Sequence, residues 1–268
     1  MPDYKLVATD MDGTLFNSQG EISEENIKAI TDIQKKGVKF VLASGRPSFA
    51  MFEGAEKLEM KKWGGYILAA NGGEIIDFSS NEVIFKEILK WEDIKTIYNT
   101  SKELGIPMVI YSGDTVYGSE MSTKFEADEC KMKFVKFDSL QFLEESGINE
   151  TPKCMFIDEP DKILKADAYM QEKYGKDYFI ATSKPVFLEI VNKNVNKGKS
   201  LLRLGEILKI KPEEMIAIGD GRNDIPMLKS VGMPVAVANA SSELKEISKF
   251  VSSSNDESAL KTMIEKFY

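Results

Sequence analysis

Short, nearly continuous apolar runs alternate along this chain with longer stretches in which apolar residues recur at helical spacing. KLVATD, VKFVLAS and GYILAANGG are runs of the first kind and predict strands buried on both faces. Between the first two, ISEENIKAITDIQKKG predicts a helix. Ser23 can cap its start, Glu24 and Glu25 suit its positive end, Lys35 and Lys36 suit its negative end, and Gly37 can close it. A second helix is predicted over 47–58, with Pro47 in its first turn. Strand, helix, strand, helix, strand in this order predicts an α/β fold with a Rossmann-like parallel sheet and helices on both faces.

The pattern changes after residue 82. Over 83–185 two helices are predicted, Trp91–Leu104 and 161–174, with a shorter one over 139–145. Among them lie the short strands PMVIYSG, TVYGS, KCMFID and DYFIAT, a mixture that predicts an α+β module with an antiparallel sheet. The alternation then returns: VFLEIV, MIAIGD and PVAVAN read as strands, and KGKSLLRLGEILKI, DIPMLKSVG and ESALKTMIEKF as helices. The simplest organisation is a discontinuous α/β core, 1–82 and 186–268, interrupted by an inserted domain at 83–185. There is no internal repeat and no low-complexity segment.

Composition narrows the chemistry. The chain has 268 residues, 43% hydrophobic and 29% charged, enough for one large or two smaller domains with a substantial core. Its formal net charge of -8 argues against nucleic acid or a membrane surface as a partner. It contains no histidine, which excludes Ser-His-Asp and Cys-His catalysis, histidine metal sites and histidine general bases. Cys130 and Cys154 have no metal-ligand spacing and fit a reducing compartment. The N-terminus MPDYKLVATD lacks the features of a signal peptide, and no run reaches the length of a membrane span, so a cytoplasmic location is expected.

The loaded residues sit where α/β folds build sites, at strand ends and helix starts. Asp10 and Asp12 close the first strand, Ser44 the second, and Asp220 closes MIAIGD, with Asn223 and Asp224 in the loop GDGRND. Lys197 opens a helix. In a parallel sheet these ends share one edge. Positions i and i+2 of an extended chain face the same way, about 6.6 Å apart, so Asp10 and Asp12 can flank one reacting group. Carboxylates from two loops suit a hard divalent cation such as Mg²⁺. Gly13 permits close backbone approach, and Lys197 supplies a point charge for a phosphoryl group. A calcium loop is ruled out: Asp10, Asp12 and Glu21 fall at its positions 1, 3 and 12, but Leu15 stands where its glycine is required. Taken singly, each element has a bland reading as a cap, a turn or a solvated charge. Glu189, inside VFLEIV, reads equally as a functional group or as a paired charge at a sheet edge.

In these four segments, in this order, the sequence resembles the haloacid dehalogenase-like hydrolase superfamily. DMDGTL, Ser44, Lys197 and GDGRND match its motifs, and the insertion, with ASGRP, NGG and NKG, resembles the large α/β cap of the Cof-type subfamily, which includes sugar phosphatases. Gly221 and Arg222 depart from the frequent loop pattern. The resemblance implies a phosphatase of small phosphorylated metabolites that works through an aspartyl-phosphate. Asp10 would be the nucleophile and Asp12 the acid and then the base. Ser44 and Lys197 would hold the phosphoryl group, with Gly45, Arg46, Asn71 and Asn223 as further phosphate or substrate contacts. Mg²⁺ would be held by Asp10, the Asp12 main-chain carbonyl, Asp220 and Asp224. The alternatives are a phosphomutase, a phospho-aspartate receiver module and a binding protein with a dead site. The receiver is disfavoured by Asp12 and the insertion, and a pump-type ATPase by the missing spans. The sequence leaves the oligomeric state open between monomer and homodimer.

Overall fold

The computed structural model describes residues 3–119 and 133–268; Cys130 lies outside them. In chain order, β1 is Leu6–Thr9, β2 Lys39–Ala43, β3 Tyr66–Ala69, β4 Glu74–Asp77 and β5 Glu82–Lys86. β6 (Leu89–Lys90), β7 (Met108–Ser112), β8 (Thr115–Ser119), β9 (Lys133–Phe137), β10 (Glu150–Thr151), β11 (Cys154–Ile157), β12 (Tyr178–Lys184) and β13 (Phe187–Asn192) follow. β14 (Met215–Gly219), β15 (Met233–Ala236) and β16 (Phe250–Val251) complete the set.

The chain divides into two compact units, Met1–Lys86 with Asn196–Tyr268, and Glu87–Val195. The first is built on an eight-stranded sheet in the order β16-β15-β14-β1-β2-β3-β4-β5. Its strands from β16 to β3 are parallel, as the alternation predicts, and β4 and β5 add an antiparallel edge. At its centre Leu6–Thr9 runs level with Met215–Ile218 on one side and Lys39–Leu42 on the other. All four β1 residues are fully buried, which explains an unbroken apolar run. The helices Glu24–Lys35 and Ala259–Phe267 pack side by side, tied by the Lys261 N–H donating to Asn26 Oδ1 at 3.0 Å. The predicted cap is present, with Ser23 Oγ accepting from the Asn26 N–H.

The second unit carries a six-stranded sheet, β12-β13-β11-β7-β8-β9, antiparallel except for β8 with β9. Alternate residues of β11 serve different clusters. Cys154 and Phe156 join the larger core with the helices Trp91–Leu104 and Pro160–Tyr174, while Met155 and Ile157 join a smaller one with Tyr111 and Phe187.

The structure moves the expected division of the chain. β5 extends the first sheet through Lys86 rather than opening the insertion, and β13 lies in the second unit between β12 and β11. The boundaries therefore fall at 86/87 and 195/196 instead of 82/83 and 185/186. An apolar run such as VFLEIV specifies a buried strand, but its pairing partner is set by contacts far away in sequence. Glu189 is a paired charge, though on an interior strand: it accepts from Lys153 Nζ at 3.1 Å, and both residues are buried. Among the described residues no helix is long and apolar enough to cross a membrane.

Candidate active site

Asp10 stands one residue beyond β1, where its N–H donates to the Ile218 carbonyl of β14 at 3.0 Å. This bond continues the ladder past the last strand residue and fixes the main chain under the carboxylate. The helix Lys197–Leu208 begins at Lys197, and its preceding residue Asn196 caps it through Oδ1, accepting from the Lys199 N–H at 2.9 Å. A Cβ on Gly198 would collide with the Pro226 carbonyl, so only glycine lets this helix start approach the segment that carries Asp224.

The Lys197 ammonium is fully buried and donates to Asp10 Oδ1 at 2.5 Å and to Asp224 Oδ1 at 2.6 Å. The other Asp224 oxygen accepts the N–H groups of Asp220 and Gly221 at 3.1 and 3.0 Å. Asp220 Oδ1 accepts from the Thr14 hydroxyl at 3.0 Å. The chain passes very close to Asp220 at Gly13, where φ is +78° and a Cβ would lie 2.6 Å from Asp220 Oδ2. Carboxylate oxygens of Asp10, Asp220 and Asp224 fall within 4.8 Å of one another.

Three carboxylates against one ammonium leave excess negative charge in a poorly hydrated place. Burial, and then the neighbouring Asp224, push the Asp10 carboxyl well above the usual carboxylate range, with Lys197 opposing. Asp220 is raised for the same two reasons in the same order. Burial works against the charge on Lys197, but Asp10 and Asp224 together outweigh it and hold the ammonium above its ordinary range. The donor set is all oxygen and strongly anionic, the chemistry that suits a hard divalent cation such as Mg²⁺.

The remaining predicted residues lie around this cluster. The β1–β2 register ends with Thr9 level with Leu42, and buried Ser44 follows two residues further along the chain, its Oγ accepting from the Arg46 N–H at 3.2 Å. Gly45 lies between them, half-buried. Asn71 is buried in a left-handed turn with φ of 56°, and its N–H donates to the Ser44 carbonyl at 2.8 Å. Asn223 lies in the short turn Arg222–Asp224. The Asp12 carboxylate is not brought to the cluster. Its side chain is 59% exposed and takes both oxygens to Arg46, from Nε at 2.8 Å and Nη2 at 2.6 Å. The Arg46 guanidinium also lies over the Phe16 ring, 5.2 Å from its centroid. Two contributors escaped the sequence reading. Thr14 follows the highlighted glycine and had a signal, whereas Asn239, whose Nδ2 donates to the Gly13 carbonyl at 2.8 Å, had none.

Comparison with known proteins bears on the family and the fold. The profile of the haloacid dehalogenase-like hydrolase family matches residues 7–264. This chain belongs to that family. A haloacid dehalogenase-like hydrolase from Bacteroides thetaiotaomicron has the same fold, with 32% identity, a TM-score of 0.90, and coverage of 99% of this chain and 100% of that one. YxeH of Bacillus subtilis (strain 168), provisionally named a phosphatase, is 32% identical over 95% of this chain and 94% of its own. The 5-amino-6-(5-phospho-D-ribitylamino)uracil phosphatase YcsE of the same organism is 28% identical over 95% of this chain and 92% of its own. The chain is accordingly an enzyme of the phosphatase branch of these hydrolases.

Proposed function

We propose that this protein is a Mg²⁺-dependent phosphatase of small phosphorylated metabolites, with sugar phosphates the first class to test, and that it works through an aspartyl-phosphate. One observation carries the reading: three aspartates from two distant loops converge around a buried lysine. Purely structural needs do not call for so much buried charge, which is expensive to desolvate. The name of YcsE, with its phosphoribitylamino group, supports a phosphate on a polyhydroxylated carbon chain.

In this reading Asp10 attacks phosphorus. Its oxygen–phosphorus bond forms as the bond to the leaving oxygen breaks, and Asp12 gives that oxygen a proton. Water then attacks phosphorus and passes a proton to Asp12, the Asp10–phosphorus bond breaks, and inorganic phosphate departs with Asp10 restored. Ser44 and Lys197 hold the phosphoryl oxygens, and Gly45, Arg46, Asn71 and Asn223 are the further substrate contacts to test. Lys197 has a second task, holding Asp10 and Asp224 in place by charge-assisted bonds. Mg²⁺ would be held by Asp10, Asp220, Asp224 and the Asp12 main-chain carbonyl, and bound there it supplies positive charge against the phosphoryl oxygens. Selection of the leaving group is assigned to the inserted unit.

The test is phosphate release from a panel of sugar phosphates, nucleotides and p-nitrophenyl phosphate, with and without Mg²⁺, for wild type and Asp10→Asn. Mg²⁺-dependent release that the substitution abolishes supports the reading. Release that survives Asp10→Asn would remove the aspartyl-phosphate, and transfer of phosphate to a second sugar instead of water would make the enzyme a mutase.

A further inference from the structure

Three successive residues after β3 hold positive φ: Ala70 at 49°, Asn71 at 56° and Gly72 at 97°. Glycine takes this left-handed region freely and asparagine tolerates it, but for alanine it is costly. All three residues are buried. A strained backbone persists only where its surroundings over-determine it, and the surroundings here include the loop that carries Ser44. The Ala70 N–H donates to the Arg46 carbonyl and the Asn71 N–H to the Ser44 carbonyl, both at 2.8 Å, while the Ser44 N–H donates to the Leu68 carbonyl of β3 at 3.0 Å. The Ser44 loop is thus bonded along its length to β3 and the turn after it. The turn is held from its other side by the helix Lys197–Leu208. Ser200 of that helix is buried, and its hydroxyl donates to the Gly72 carbonyl at 2.7 Å. A Cβ on Gly72 would collide with the Ser200 side chain and lie 3.2 Å from the Asn196 carbonyl, so only glycine lets the helix start approach this turn.

We propose that Ser200 is a positioning residue that braces Ser44 against Lys197, the two groups that hold the phosphoryl oxygens in the phosphatase reading on which this inference rests. Ser200 and Lys197 are three positions apart on one helix and so are neighbours on its surface. The Lys197 tip is fixed by Asp10 and Asp224. From Ser200 the tie runs through the Gly72 carbonyl, then through the main-chain donors of Asn71 and Ala70 to the carbonyls of Ser44 and Arg46. Without the hydroxyl, the Gly72 carbonyl loses this donor, and the left-handed turn loses a restraint on its return to ordinary backbone angles. Lys197 stays with its two carboxylates, so the Ser44 loop is the side that moves. A misplacement of about 1 Å in a group that positions substrate costs up to about a hundredfold. The carboxylates of Asp10, Asp220 and Asp224 lie on the Lys197 side of the brace, so cation binding is insensitive to it.

Phosphate affinity separates a brace from ordinary core packing. The experiment is calorimetry with inorganic phosphate in the presence of Mg²⁺, for wild type, Ser200→Ala and Ser252→Ala, with the Mg²⁺-induced rise in Tm measured alongside. Ser252 is the control. It is buried, its hydroxyl donates to the Ala259 carbonyl at 2.7 Å, and it follows β16, at the sheet edge with four strands between it and β3. Both variants lose one buried hydroxyl bond and should melt lower than wild type in EDTA. Only Ser200→Ala should weaken phosphate binding, by about tenfold, the scale of one lost hydrogen bond, while its Mg²⁺-induced rise in Tm matches wild type. Ser200→Cys, which keeps a weaker donor of similar size, should fall between wild type and Ser200→Ala, and it carries the comparison if Ser200→Ala does not fold. Unchanged phosphate affinity in the folded Ser200 variant overturns the brace. An equal loss in Ser252→Ala, or a Mg²⁺ response that falls together with phosphate affinity, overturns it too, because general loosening then accounts for the effect. Wild-type enzyme that releases no phosphate from any substrate overturns the phosphatase reading and the brace together; phosphate release with a Ser200→Ala that binds phosphate as wild type does overturns the brace alone.

Discussion

Lys197 has no exposure to water and touches two carboxylates. Replacing it by Met would leave Asp10 and Asp224 buried without their counter-ion, and Lys197→Met should lose about 3 to 5 kcal/mol of stability. Urea unfolding checks this; a loss below about 1 kcal/mol, as for a surface pair, would contradict the picture of a dry charge centre. Gly13 is the second constrained residue. An alanine there would need a positive φ and would push a methyl group onto Asp220 Oδ2. Gly13→Ala should therefore cost about 1 to 3 kcal/mol and weaken Mg²⁺-dependent turnover more than tenfold. Full activity at normal Mg²⁺ would show that the turn has slack. Cys154 is buried, and burial pushes its thiol upward. An unfolded thiol ionises near pH 8.5, so above that pH unfolding releases a proton that the folded state keeps, and this group's contribution to stability falls as pH rises. Iodoacetamide at pH 8 should leave Cys154 unmodified in the native protein and label it once urea is added. Rapid native labelling, mapped to this residue by peptide mass spectrometry, would contradict its burial.

At the level of elements, the helix Lys197–Leu208 does for the site what a strand end does elsewhere. Its N-cap, Asn196, is the residue immediately before the buried lysine. Asn196→Ala should cost about 1 kcal/mol through loss of the cap. Turnover should drop beyond what that cost implies, because the first helical residue is the one that positions Asp10. Unchanged kcat with lowered stability would separate the cap from the chemistry. The caps, the charge at helix ends and the buried strands of this element set were legible in sequence because each depends on neighbours a few residues away. The β4–β5 edge was not legible. Glu82–Lys86 is mostly exposed at the sheet margin, and an edge strand lacks the apolar run that marks an interior one.

At the scale of the molecule, the carboxylate cluster sets the response to metal. Asp10 and Asp220 are both raised in the metal-free protein, so removing one negative charge should stabilise it and binding a cation should stabilise it more. Mg²⁺ at about a hundred times its Kd should add about 2.7 kcal/mol, seen as a rise in Tm that EDTA reverses. Asp220→Asn should melt higher than wild type in EDTA and gain little from Mg²⁺. An equal Mg²⁺ shift in the variant would place the ion elsewhere. The sequence alone determined the α/β alternation, the interruption of the core, and the residue types at the strand ends, because periodicity, caps and turns are local properties of the chain. It also excluded histidine chemistry outright. Tertiary structure alone decided that β13 belongs to the inserted unit, that Asn239 supports the Gly13 turn, and that Lys197 is shared between Asp10 and Asp224. It also decided that Asp12, two residues from Asp10, belongs to Arg46 instead of to the cluster. Strand partners, ion-pair partners and the hydration of a carboxylate depend on groups tens or hundreds of residues apart, and only the folded chain brings them within bonding distance.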